Sequence, residues 1–175
     1  MRDVAWVAAA LVVAFASCAR SSDAAAPELC RAPGLTLTAH DYGEAGGQFR
    51  QTFTFRNVTA ERCVLTGWPA FRLVSAAGRA VPTKTQRVRQ TSPPAPASKI
   101  VVLAPHRTAS FNVYGADFDA LHDVACPRTA AAAITAPQAA SPVFVRLRVP
   151  NCGTFYVAPI VAGSSDRDSW STYVR

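Results

Sequence analysis

The chain has 175 residues, 18 Lys plus Arg against 11 Asp plus Glu, and a formal net charge of +7, and half of its residues are hydrophobic. That length suits one core and leaves no room for a second domain, while the apolar content excludes a disordered chain. The charge favours anionic neighbours such as acidic lipid headgroups or envelope polymers, but the arginines are scattered and no stacking aromatics interleave with them, so no nucleic-acid partner is expected.

Arg2 precedes an unbroken apolar run over residues 4–16, followed by small residues. Charged start, apolar middle and small-residue cut site are the order of an export signal. A helix of that length spans about 20 Å against the ~30 Å hydrocarbon core, so the segment reads as removable rather than as a membrane span. Phe15-Ala16-Ser17-Cys18 resembles the bacterial lipobox, in which small residues precede a cysteine whose sulfur receives a diacylglycerol before cleavage. Phe15 departs from the aliphatic residue usual there. The reading is a lipoprotein-type signal peptide over residues 1–17 and lipidation of Cys18, which places the protein on the outer face of the cell membrane. Plain secretion, with cleavage after Ala16 or Ala26, is the alternative.

Residues 18–28 are small and polar, a flexible tether, and the folded domain is expected over residues 29–163. Leu35, Leu37 and Ala39 alternate with threonines, and turn residues follow at 43–47. In the stretch 49–57, Phe49, Phe53 and Phe55 share one face and Arg50, Thr52, Thr54 and Arg56 the other, the period-two sign of a half-buried strand. Further strands are predicted at 63–65, 71–75, 100–103, 109–113, 143–149 and 155–161, separated by Gly and Pro turns. About eight short strands with no long amphipathic helix between them specify an antiparallel sandwich.

Three stretches read differently. Residues 83–98, with Lys84, Arg87, Arg89 and a Ser-Pro-Pro-Ala-Pro run, are expected to form a solvent loop or a partner-binding loop. Phe118, Leu121 and Ala125 would fall on one face of a short helix over 117–125. Residues 164–175 form a polar C-terminal tail, whose Trp170 and Tyr173 either fray or close one end of the sandwich.

Of the five cysteines, Cys18 is taken by the lipobox, leaving Cys30, Cys63, Cys126 and Cys152 for two disulfides in an oxidising compartment. Three pairings are open, and order along the chain favours Cys30–Cys63 and Cys126–Cys152. Each would close a loop of about thirty residues, worth roughly 3.5 to 4 kcal/mol in the chain-entropy model. A structural zinc site would want close cysteine pairs, and these are too far apart in sequence, so no metal is expected.

No catalytic set emerges. Neither Gly-x-Ser-x-Gly nor Ser-x-x-Lys occurs, and His40, His106 and His122 are dispersed. Asp117, Asp119, His122 and Asp123 cluster locally but lack EF-hand spacing, and read as caps and solvated charge. Trp68, Phe71, Phe118 and Trp170 are candidates for an apolar ligand pocket. Asn57-Val58-Thr59 matches the glycosylation triplet but reads as chance in a bacterial chain.

Several motifs together resemble the family of exported actinobacterial domains known as domain of unknown function 4232, over roughly residues 30–161. They are Cys63-Val64-Leu65-Thr66-Gly67-Trp68-Pro69-Ala70-Phe71-Arg72-Leu73-Val74, the turn and strand Leu103-Ala104-Pro105-His106-Arg107-Thr108-Ala109-Ser110-Phe111, and Val149-Pro150-Asn151-Cys152. Cys30 and Cys126 match the family's other two cysteines. Trp68 stands where Tyr is more usual, and the Pro-rich loop before Ile100 is longer. The resemblance implies an all-β, immunoglobulin-like antiparallel sandwich with two disulfides, secreted or lipid-anchored, and no established activity.

The expectation is therefore a non-enzymatic, membrane-anchored envelope lipoprotein without cofactors, acting as an interaction module for an envelope protein or anionic polymer. Arg87, Arg89 and Trp68 are its candidate binding residues. A binder of a small apolar or sugar ligand within the sandwich is the alternative, and no residue pattern specifies an oligomeric state.

Overall fold

A computed structural model of the protein describes residues 28–88 and 99–163. Cys18, Arg89 and the C-terminal tail lie outside the described residues. In chain order the elements are β1 (Glu28–Leu29), a 3-10 turn (Ala32–Gly34), β2 (Leu35–Ala45), β3 (Gln48–Asn57), β4 (Cys63–Leu65), β5 (Ala70–Val74), β6 (Lys84–Arg87), β7 (Val101–Leu103) and β8 (Thr108–Ala116). Then follow β9 (Phe118–Asp119), β10 (Val124–Ala125), β11 (Arg128–Thr135), β12 (Val143–Pro150), β13 (Thr154–Val157) and β14 (Val161–Ala162). No helix among the described residues is long and apolar enough to cross a membrane.

One large sheet has the order β2-β3-β8-β13-β6, with β14 continuing along β8. Two three-stranded sheets, β1-β4-β7 and β12-β11-β5, form the opposite layer. Pairing is antiparallel except for β1 with β4 and β13 with β6. The β2–β3 hairpin turns through Gly46 and Gly47 at φ 59° and 78°, the two positive values a two-residue primed turn requires.

The alternation in β3 is realised in the packing. Phe49, Phe53 and Phe55 are buried and meet Phe111 of β8, Phe71 of β5 and Phe155 of β13 in one aromatic core between the layers. Gly115 keeps β8 close enough for this: a Cβ there would sit 2.6 Å from the Phe49 ring and 3.3 Å from Phe155. Asn57 ends β3 fully buried, donating from Nδ2 to the carbonyls of Glu61 (2.7 Å) and Leu103 (3.0 Å). Its Oδ1 accepts from the amide and hydroxyl of Thr59. The triplet that begins at Asn57 is thus a loop-holding device.

The disulfides are Cys30–Cys63 and Cys126–Cys152, with Cα atoms 4.9 and 5.3 Å apart. The first fastens β1 to β4. The second ties β10 to the turn after β12.

Four expectations are corrected. Residues 117–125 form no helix but the β9–β10 hairpin, closed by Cys126 N–H to Asp117 O at 3.0 Å and turned by Asp123 at φ 56°. Phe118, Leu121 and Val124 are all exposed, so the apolar face that a helix would have needed has nothing to pack against. Residues 84–87 are not loop but β6, pairing in parallel with β13. The turn does not begin at residue 43: a bulge between His40 and Gly43 carries β2 to Ala45, with Asp41 at φ 50° and the Gln51 amide donating to the His40 carbonyl at 2.6 Å. Finally, β11 runs through an Ala-rich stretch that gave no strand signal, as the central strand between β12 and β5.

Candidate functional site

β12 alternates strictly. Leu147 is buried, while Phe144, Arg146 and Arg148 are exposed. β11 lies beside it with an irregularity between Thr129 and Ala131 that opens the pairing. The result is a shallow groove of about 510 Å3 lined by Arg128, Thr129, Ala130, Arg146, Leu147 and Arg148. Arg128, Arg146 and Arg148 surround it. Among the described residues no carboxylate pairs with Arg146 or Arg148.

Arg128 is held from the opposite layer. Its Nη1 donates to the Tyr42 hydroxyl at 3.2 Å and the Arg148 carbonyl at 3.3 Å, its Nη2 pairs with the Glu44 carboxylate, and its guanidinium lies 5.8 Å from the Tyr42 ring centre. The Tyr42 hydroxyl in turn donates to Glu44, and its ring stacks at 6.0 Å on Phe49. Partial burial, with the hydrogen bond it gives Glu44, pushes the Tyr42 phenol up to about 12. The same hydrogen bond from Tyr42, with Arg128 beside it, holds Glu44 below the usual carboxylate range. A guanidinium oriented this way and two others free of carboxylates form a donor array suited to phosphate or carboxylate oxygens.

The sequence-derived candidates are only partly brought together. Arg87 of β6 lies over the Trp68 ring, 5.1 Å from its centre, a cation–π contact on the outermost strand of the large sheet. The four aromatics proposed for an apolar pocket do not meet. Phe71 is in the core, Phe118 is exposed on the β9–β10 hairpin and Trp68 is half-buried against Arg87, while Trp170 lies outside the described residues.

Two histidines sit in polar clusters. His40 Nδ1 pairs with the Asp41 carboxylate and its Nε2 lies 2.5 Å from Thr54 Oγ1, an acid–imidazole–hydroxyl order. Thr54 sits mid-strand in β3 between β2 and β8, so the flanking amides are committed to the ladder and supply no oxyanion site. His122 Nδ1 lies 2.6 Å from Asp119 Oδ2, and Asp119 Oδ1 accepts from the Leu121 amide, which lowers the Asp119 carboxyl. These bonds belong to the hairpin turn. No group of three His, Cys, Asp or Glu side chains among the described residues is placed to hold a metal ion.

Strand alternation accounts for Arg146 and Arg148 sharing a face, but no sequence signal marks Tyr42, Glu44 or Arg128. Arg128 is 84 and 86 residues away from those partners, and no local pattern signals a contact across two layers. A family model described as a domain of unknown function (DUF4232) matches residues 30–161. No curated protein and no solved structure matches the chain.

Proposed function

The chain belongs to the family described as a domain of unknown function (DUF4232), and from that premise we propose a non-enzymatic envelope lipoprotein. Its sandwich offers the β11–β12 arginine groove to an anionic envelope polymer. The observation that carries this reading is the trio Arg128, Arg146 and Arg148 around one open groove, with Arg146 and Arg148 unmatched by carboxylates among the described residues. Lipid on Cys18 would hold the domain at the outer face of the membrane; the lipobox resemblance and the pairing of the other four cysteines support it.

The groove lies at the end of the sandwich remote from residue 28. Arg128 bonds Tyr42 and Glu44 near the close of β2, whereas the chain enters beside β4 near the end of β3. Eleven residues of β2 span roughly 35 Å at ~3.3 Å each, so an anchored domain would hold the groove out into the envelope. The space between the layers is filled by phenylalanine rings, which favours surface recognition over an interior ligand.

Titration of the purified protein with polyphosphate of defined length tests the groove. Binding is expected to fall with salt and to weaken at least tenfold in Arg146→Ala/Arg148→Ala, with uncharged dextran giving no signal. Equal binding by wild type and double variant would overturn it. Metabolic acyl labelling tests the anchor: wild type should carry label and Cys18→Ala should not.

A further inference from the structure

The outer face of the β1-β4-β7 sheet is apolar where a solvent-facing sheet would be polar. In register, Leu29 pairs with Val64 and Val64 with Val102, so their side chains form one row across three strands. The opposite faces of β4 and β7 are the buried ones, through Leu65, Val101 and Leu103. Leu29 is 45% exposed, Val102 55% and the adjoining Ile100 71%. Arg62, two residues before Val64, and Lys99, beside Ile100, are exposed at the margin of the row. Glu28 is engaged by Arg31 at 3.3 Å, leaving Glu61 as the carboxylate next to Arg62.

We propose that this face, formed by Leu29, Val64, Val102 and Ile100 with Arg62 and Lys99 at its margin, rests on an anionic phospholipid bilayer. The inference builds on the lipid-anchor reading. Cys18 lies ten residues before Glu28, and that much chain reaches at most ~35 Å. The row begins at Leu29, immediately after the tether, so this is the face an anchored domain turns to the membrane at the shortest reach. Aliphatic side chains enter the interface while Arg and Lys extend to the headgroups. A short linker supplies an effective concentration on the order of mM, so a contact of modest affinity in the free protein becomes near-continuous in an anchored one.

The experiment uses the full chain carrying Cys18→Ala, exported by its host and recovered from the medium, so that vesicle binding is read without any acyl chain. The probe is vesicles of phosphatidylcholine with one third phosphatidylglycerol. The protein is expected to co-sediment measurably, and Ile100→Asp and Val102→Asp are each expected to reduce the bound fraction at least fivefold, whereas Leu121→Asp, at an exposed aliphatic on the β9–β10 hairpin, changes it less than twofold. Ile100 lies outside any strand, so its variant keeps the fold, checked by an unchanged unfolding midpoint. No co-sedimentation, or equal co-sedimentation of the Cys18→Ala protein with and without Ile100→Asp, overturns the proposal. A dimer in ultracentrifugation that Ile100→Asp splits into monomers overturns it too, assigning the face to a second copy. Failure of the anchor is read separately, as absence of acyl label on wild-type Cys18.

Discussion

At Asn57 a single amide replaces several backbone contacts. Both donors and the carbonyl oxygen are engaged at full burial, so truncation strands the carbonyls of Glu61 and Leu103 as well as the Thr59 amide. Asn57→Ala is expected to lower stability by about 2–3 kcal/mol, read as a shift in the urea midpoint at constant slope. Tyr42 makes the opposite kind of statement, about pH. Its folded pKa, about 12, lies above the ordinary phenol value of 10.0, so the protonated phenol is favoured in the folded state. Its contribution is therefore complete below pH 10 and is lost as pH rises from 10 to 12. The stability of Tyr42→Phe, which cannot ionise there, should fall less over that window than that of wild type. Such residues were opaque in sequence. Phe49, Phe53 and Phe55 announce their face by spacing, whereas Asn57 resembles a chance glycosylation triplet and Tyr42 falls in no pattern, because their partners are defined by topology.

Among elements, those with buried alternation were readable and those without it were not. In β3 phenylalanines occupy one face and polar side chains, from buried Thr52 to exposed Arg56, the other, while β12 exposes Phe144, Arg146 and Arg148 in alternation, which writes period two into the chain. β6 is exposed at all four positions and β11 is half alanine, so neither carries a pattern and both exist through their neighbours. The β9–β10 hairpin misled because Phe118, Leu121 and Ala125 have helical spacing, while its folded form is held by ladder bonds, the Asp119 turn and a covalent tie. Cys126→Ala/Cys152→Ala opens a 26-residue separation and is expected to cost roughly 3.5 kcal/mol. Native-state hydrogen exchange should find amides of the hairpin losing protection before those of β3 and β8.

For the molecule as a whole, the arginine groove and the aliphatic face lie on different three-stranded sheets. Surfaces that share no partner should act independently. Combining Ile100→Asp with Arg146→Ala/Arg148→Ala is therefore expected to give, in the polyphosphate titration, the loss seen with Arg146→Ala/Arg148→Ala alone. The Cys30–Cys63 bond adds a mechanical consequence. A pull arriving through residue 28 reaches Cys30 within two residues and passes covalently into β4. β1 has only two residues of ladder to resist peeling, so the sulfur link, rather than hydrogen bonding, carries the load. A domain on a leash would keep β1 seated on β4 under shear for as long as that one bond stays oxidised.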